Sequence, residues 1–176
     1  MSRPWLTQLI QKGIGLLEPV YTAQLDSIRT SRVKAMDMIA QEITDQLRSI
    51  ASADYFEECS AKLTDAWSAA GVGTEVLEPV LRFMEEYPEI DFGTPGSLVH
   101  FLERFHNHGY EEKLIESIQR RPTSHTTWML NRLINGTRAP DLRRRLIALM
   151  ESAITNPAAH VDAVERATDF LTRLRN

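Results

Sequence analysis

Cysteine is almost missing from this chain. Cys59 is the only one in 176 residues, so no internal disulfide can form, and a reducing compartment is implied. Long apolar runs are missing too: no window approaches the roughly 20 uninterrupted apolar residues of a membrane span. The first residues, MSRPWLTQLIQKGIGLLEPV, are interrupted by Gln8, Gln11, Lys12 and Glu18, and no small-residue cleavage site follows, so no signal peptide is expected. Together these features point to a cytoplasmic protein without a membrane partner. Period-two alternation is nearly absent, which argues against a sheet-built core. Catalytic signatures are lacking as well. There is no GxSxG elbow. Gly93-Thr94-Pro95-Gly96 lacks the lysine and following hydroxyl of a phosphate loop, and Pro95 removes a backbone donor. His100 and His106 are six residues apart, on different faces of a straight helix, and His106-Asn107-His108 falls at a turn, while His125 and His160 stand elsewhere. None has the i, i+4 spacing of a helical zinc site. Cys59 lies on an apolar face and reads as buried filler. The expectation is a non-enzymatic protein with no catalytic residues, no cofactor and no metal.

What the chain has is helical spacing throughout. At 43% hydrophobic and 25% charged residues it has an ordinary globular composition, and at this length about 70% of the unfolded surface can be buried. One helical domain over 1–176 is expected, with a division into lobes 1–72 and 73–176 as the alternative within it. Pro4 suits a first turn, followed by a stripe of Trp5, Leu6, Leu9, Ile10 and Ile14. Val33, Met36, Ile39, Ala40, Ile43, Leu47 and Ile50 repeat at three and four residues. A helix over about 53–70 should face inward through Phe56, Cys59, Leu63, Ala66 and Trp67. After the break at 71–74, Thr74 suits an N-cap, and Pro79 implies a later helix start or a bend. Thr94 should cap the next helix, with Pro95 in its first position and Leu98, Val99, Phe101, Leu102 and Phe105 as its apolar stripe. Thr123 or Ser124 should cap a helix burying Trp128, Met129, Leu133 and Ile134, and Gly136 suits its left-handed end. Two further helices carry Leu142, Leu146, Leu149, Met150 and Ile154, then Val161, Val164, Ala167, Leu171 and Leu174. The fold class is therefore all-α: eight or nine short helices in antiparallel pairs, as an irregular bundle or a HEAT-like helical stack.

Charge is unevenly placed. Residues 75–116 hold ten acids against three bases, 117–176 hold five acids against ten arginines, and 1–74 hold nine acids against seven bases. The first of these blocks can steer a basic partner. Arg143-Arg144-Arg145, with Arg132 and Arg138 nearby, forms the one basic cluster, but the overall acidic balance of −4 argues against nucleic-acid binding. Asn131 and Asn135 are one turn apart and are expected to clamp a neighbouring loop, because a buried amide left unpaired costs about 1–3 kcal/mol.

The segment from about Glu85 to Thr137 carries a DFGTPG turn, then LVHFLERF, GYEEKLIESIQRRPT and HTTWMLNRLING. It resembles a group of small all-helical bacterial immunity proteins of polymorphic and contact-dependent toxin systems. The resemblance covers a little under a third of the chain and includes no catalytic signature. It implies a cytoplasmic antidote that binds and neutralises one cognate protein toxin. Many such toxins act on nucleic acids and are basic, so the acidic block is the expected contact: Glu85, Glu86, Glu89, Asp91, Glu111 and Glu112, with Tyr87 and Tyr110 as aromatic anchors. The competing expectations are a helical-repeat scaffold or adaptor, and a nucleic-acid-acting helical-repeat enzyme.

Overall fold

The computed structural model describes residues 27–31, 33–93 and 95–175. The expected helix built on Trp5 and Leu9, and the Thr94 cap, lie outside them. The described chain is all-helical, with no strand among these residues. It divides into two units, Met1–Ile39 and Ala40–Asn176, so the boundary falls well before the expected one at residue 72. In the first unit, residues 27–31 and 33–39 are helical, and Ile28, Val33, Met36, Met38 and Ile39 are exposed.

The second unit begins with helical residues 40–50, termed α1. It continues through α2 (Phe56–Ala70), a 3-10 turn (Thr74–Val76), α3 (Leu77–Glu86), α4 (Ser97–Glu103), α5 (Tyr110–Arg120), α6 (Ser124–Gly136), α7 (Pro140–Thr155) and α8 (Val161–Arg175). Helix α2 packs on α4, α3 on α5, α5 on α7 and α6 on α8, besides the consecutive pairs from α5 to α8. A helix that meets the second one after it produces two layers, as in a helical stack. The α2–α4 contact crosses residue 72, and the T-shaped packing of Trp67 on Phe101 at 5.7 Å shows why no lobe boundary falls there.

Several local expectations shift for identifiable reasons. The apolar stripe of the first helical segment is buried only from Ile43 and Leu47 onward. Helix α2 faces inward through Phe56, Ser60, Thr64 and Trp67; Cys59 and Leu63 are half-buried, and Ala66 is exposed. The two buried hydroxyls are tolerated because each donates to a carbonyl three residues back, at 2.9 Å. Helix α3 starts after the 3-10 turn, which puts Pro79 in its first turn, where a missing N–H costs nothing. Thr123 forms a capping box with Thr126 at the start of α6, as the sequence suggests. Gly136 is helical rather than left-handed, and extended Thr137 ends α6.

The DFGTPG turn has two steric reasons for its glycines. Gly93 has φ +82°, a conformation that L side chains rarely adopt. A Cβ on Gly96 would lie 1.4 Å from the Phe92 carbonyl oxygen, so the backbone there must be bare. Helix α4 begins at Ser97, later than a Thr94 cap would allow, and its cap comes from a distant helix. Glu57 of α2 accepts from the Ser97 N–H at 2.9 Å and the Ser97 hydroxyl at 2.7 Å. A carboxylate at this end also complements the helix dipole.

Two outcomes follow for stability. Gly96→Ala should lower it by about 1–3 kcal/mol, the range for forced overpacking, as read from the denaturation midpoint. Glu85 is 6% exposed and accepts from the Ser117 hydroxyl at 2.6 Å and from Arg120 Nη2 at 2.8 Å, tying α3 to α5. Glu85→Ala should cost about 1–3 kcal/mol by leaving the buried Ser117 hydroxyl without its acceptor and removing the nearest carboxylate from Arg120, while Glu86→Ala, which removes an exposed pair with Arg48, should cost under about 1 kcal/mol. Equal losses for the two glutamates in urea denaturation would contradict this assignment.

Candidate protein-binding surface

The residues expected to contact a partner do not form one patch. Glu85 is buried in the α3–α5 ion network, because Arg120 and Ser117 fully engage it, and so it is no surface contact. Tyr110 is also buried, so it cannot act as a protruding anchor; its burial beside Glu103 and Glu111 pushes the hydroxyl pKa up. Tyr87 is half-buried and packs on Phe83 at 4.7 Å. Glu86 pairs with Arg48 at 2.8 Å. Glu111 turns back to accept from the Asn107 N–H at 3.0 Å, with His106 Nδ1 2.6 Å from its carboxylate. Glu112 is exposed. Glu89 and Asp91 line one surface feature together.

That feature is a furrow assembled around the loop between α3 and α4. Its centre is a cavity of about 260 Å³ between that loop, α6 and α8, where Glu89 and Asp91 meet His125, Trp128, Asp162 and Arg166. One end continues along α8 into a space of about 480 Å³ past Glu165, Asp169, Phe170 and Arg173. The other end passes Ile90 and Asp91 into about 510 Å³ bordered by Asp54, Tyr55, Glu57 and Glu58. Eight of these side chains are acidic and two are arginines, a net of −6 with histidine neutral. Glu58 pairs outward with Lys62 at 2.7 Å, and Glu57 is the α4 cap. Asp162, Glu165 and Asp169 remain exposed at i, i+3 and i+7 of α8, one acidic stripe along the furrow wall. Tyr55 is 75% exposed, and Trp128 and Phe170 are half-buried.

Trp128 therefore departs from its expected place in the core. Its ring lines the furrow, with the Arg132 guanidinium 4.9 Å from the ring centroid. Phe101 and Leu133 are buried as expected. The loop clamp is not made by Asn131 and Asn135: one is half-buried, the other exposed, and neither side chain makes a hydrogen bond among the described residues. His125 does this work. Its Nε2 accepts from the Phe92 N–H at 3.4 Å, and its ring meets Phe92 edge-on at 4.9 Å. His160 adds a second tie: its Nε2 donates to Glu89 at 3.0 Å, and its backbone N–H donates to the Pro122 carbonyl at 2.9 Å.

The basic cluster is partly neutralised. Arg144 pairs with Asp141, and Arg132 holds Glu103 at 2.6 Å. Among the described residues no group of three or more His, Cys, Asp or Glu side chains is placed to hold a metal, and no helix is long and apolar enough to cross a membrane. No protein-family model and no curated protein matches the chain.

Burial lowers the pKa of His125, with Asp91 opposing and Arg166 reinforcing the shift. A histidine held neutral in the fold contributes no penalty above the unfolded pKa of about 6.5 and an increasing one below it. The stability difference between wild type and His125→Gln should therefore move against wild type as pH falls from 7 toward 5. A pH-independent difference in urea midpoints would show that His125 does not titrate against the fold.

Proposed function

We propose that this chain is a non-catalytic antidote of the immunity-protein type, which neutralises a cognate toxin domain by seating a basic surface of it in the acidic furrow. The observation that carries the reading is the exposed α8 stripe of Asp162, Glu165 and Asp169, which meets Glu89 and Asp91 through Asp162 beside half-buried Trp128. An acidic surface speeds encounter with a basic partner, and aromatic side chains within it supply contact area once the complex forms. The resemblance over Glu85 to Thr137 supports the same class, and Cys59 as a lone, half-buried thiol suits action in the cytoplasm.

The test is association with the toxin domain encoded beside the gene, over an interface on the order of 1,600 Å². Asp91→Lys with Asp162→Lys, and Glu165→Lys with Asp169→Lys, should each slow association by about tenfold or more at low salt. The loss should shrink as salt rises, because screening shortens the reach of surface charge. Glu112→Lys and Arg143→Ala should change the rate far less. Stopped-flow rates in which arginine substitutions are decisive and acidic ones silent would overturn the furrow reading. A toxin domain that does not bind at all would leave the adaptor alternative.

A further inference from the structure

A second concavity lies apart from the furrow, between the α4–α5 turn, α5, α6 and α7. It measures about 770 Å³, within the range of about 300–1,000 Å³ typical of small-molecule sites, and clefts between packed helices are a usual place for one. Ile115, Leu133, Leu142 and Leu146 give it an apolar floor, of which Leu142 is 46% exposed. Such a floor accepts an apolar body without choosing among them. Any choice falls to the polar groups.

The carboxylates of the lining are engaged. Arg132 donates to both Glu103 oxygens, at 2.6 and 3.0 Å. Both Glu111 oxygens accept from the Asn107 N–H, at 3.0 and 3.1 Å, and His106 Nδ1 lies 2.6 Å from one of them. Of the charged or buried polar groups of the lining, two lack a partner, and both are donors. Arg138, on the loop joining α6 to α7, is exposed and makes no ion pair or hydrogen bond among the described residues. Tyr110 is 3% exposed, and its hydroxyl has no hydrogen-bond partner among them either. Fully enclosed side-chain atoms without a partner are confined there to Glu78 Oε2 and His160 Nδ1, so the Tyr110 hydroxyl opens to the groove. A hydroxyl this buried is nearly always paired. Burial pushes its pKa up, so it keeps its proton and can donate.

Two glutamates and two arginines line the groove, so its formal charge cancels and the preference for an anion is local to Arg138. A cation there would meet a guanidinium with no carboxylate on it, and an uncharged body would leave that charge unused. An oxyanion takes both donors in charge-assisted or strong hydrogen bonds. We infer that this groove binds a small amphipathic carboxylate, its apolar body on Ile115 and Leu142 and its carboxylate accepting from Arg138 and the Tyr110 hydroxyl. The site is independent of the furrow and of what the furrow binds.

The probes are octanoate, octanamide and octylammonium, titrated into the full chain at about pH 7, where the acid and the amine are both ionised, and followed by amide NMR shifts. Octanoate should bind saturably, with shifts centred on Tyr110, Ile115, Arg138 and Leu142. Octanamide should bind about tenfold more weakly, the difference between hydrogen bonds to a charged and to a neutral group, and octylammonium more weakly still. Arg138→Gln, at an exposed loop position, should erase the gap between octanoate and octanamide with circular dichroism and melting unchanged. Tyr110→Phe should weaken octanoate about fivefold, the worth of one hydrogen bond. Asp162→Lys and Glu165→Lys should leave octanoate binding as it is, so groove and furrow are tested separately. No saturable shifts, equal binding of octanoate and octanamide by the wild type, or a gap that survives Arg138→Gln would each overturn the assignment. So would a peptide ending in a free leucine carboxylate that binds more tightly than octanoate, which would make the occupant a protein chain end.

Discussion

Phe92 holds the ten-residue stretch between α3 and α4 in place, and the candidate surface depends on it. Its ring is buried and meets Phe56 at 5.3 Å, Phe83 at 5.8 Å and His125 at 4.9 Å, so α2, α3 and α6 all converge on one side chain. The backbone is fixed at the same point, because His125 takes the Phe92 N–H and the bare Gly96 allows the chain to fold back onto the Phe92 carbonyl. With Phe92 pointing in, its neighbour Asp91 must point out, and Ile90 and Glu89 follow along the furrow. A buried aromatic contributes both area and ring-edge geometry. Here it also decides which face of the loop meets solvent.

Charge divides into two populations with different physics. Glu85, Arg120, Glu78 and Lys113 form a partly buried network between α3 and α5, where pairing offsets the cost of leaving water. Asp91, Asp162, Glu165 and Asp169 stay exposed, and their field extends into solvent instead of the core. Segment totals mix these populations. The last sixty residues read as basic, yet α8 presents an acidic stripe, because the ten arginines that set the total are spread over α5 to α8 and the loops between them while the three α8 acids share one face. The i, i+3, i+7 spacing of Asp162, Glu165 and Asp169 was the signal available for finding it.

Arg132 links α6 to α4. It stacks on Trp128, which lines the furrow, and pairs with Glu103 of α4. One guanidinium thus braces an aromatic of one helix and a carboxylate of another, the planar geometry that lysine could not reproduce.

The sequence by itself determined the all-α class, most helix positions from α2 onward, the Thr123 cap and the burial of Phe101, Leu133, Leu146 and Met150. These follow from local periodicity and capping, in which each residue's neighbours along the chain carry the information. The tertiary structure alone decided which acids are buried, that Trp128 is half-exposed, that Glu57 caps a helix forty residues away, and that His125 rather than Asn131 or Asn135 clamps the loop. Tyr110 and Glu85 read as surface contacts of the acidic block and prove to be interior, while Leu142 reads as core and is exposed. A stripe at helical spacing says that a face is apolar or charged. Whether another helix covers that face depends on packing between residues far apart in the chain, and helical periodicity carries no record of it.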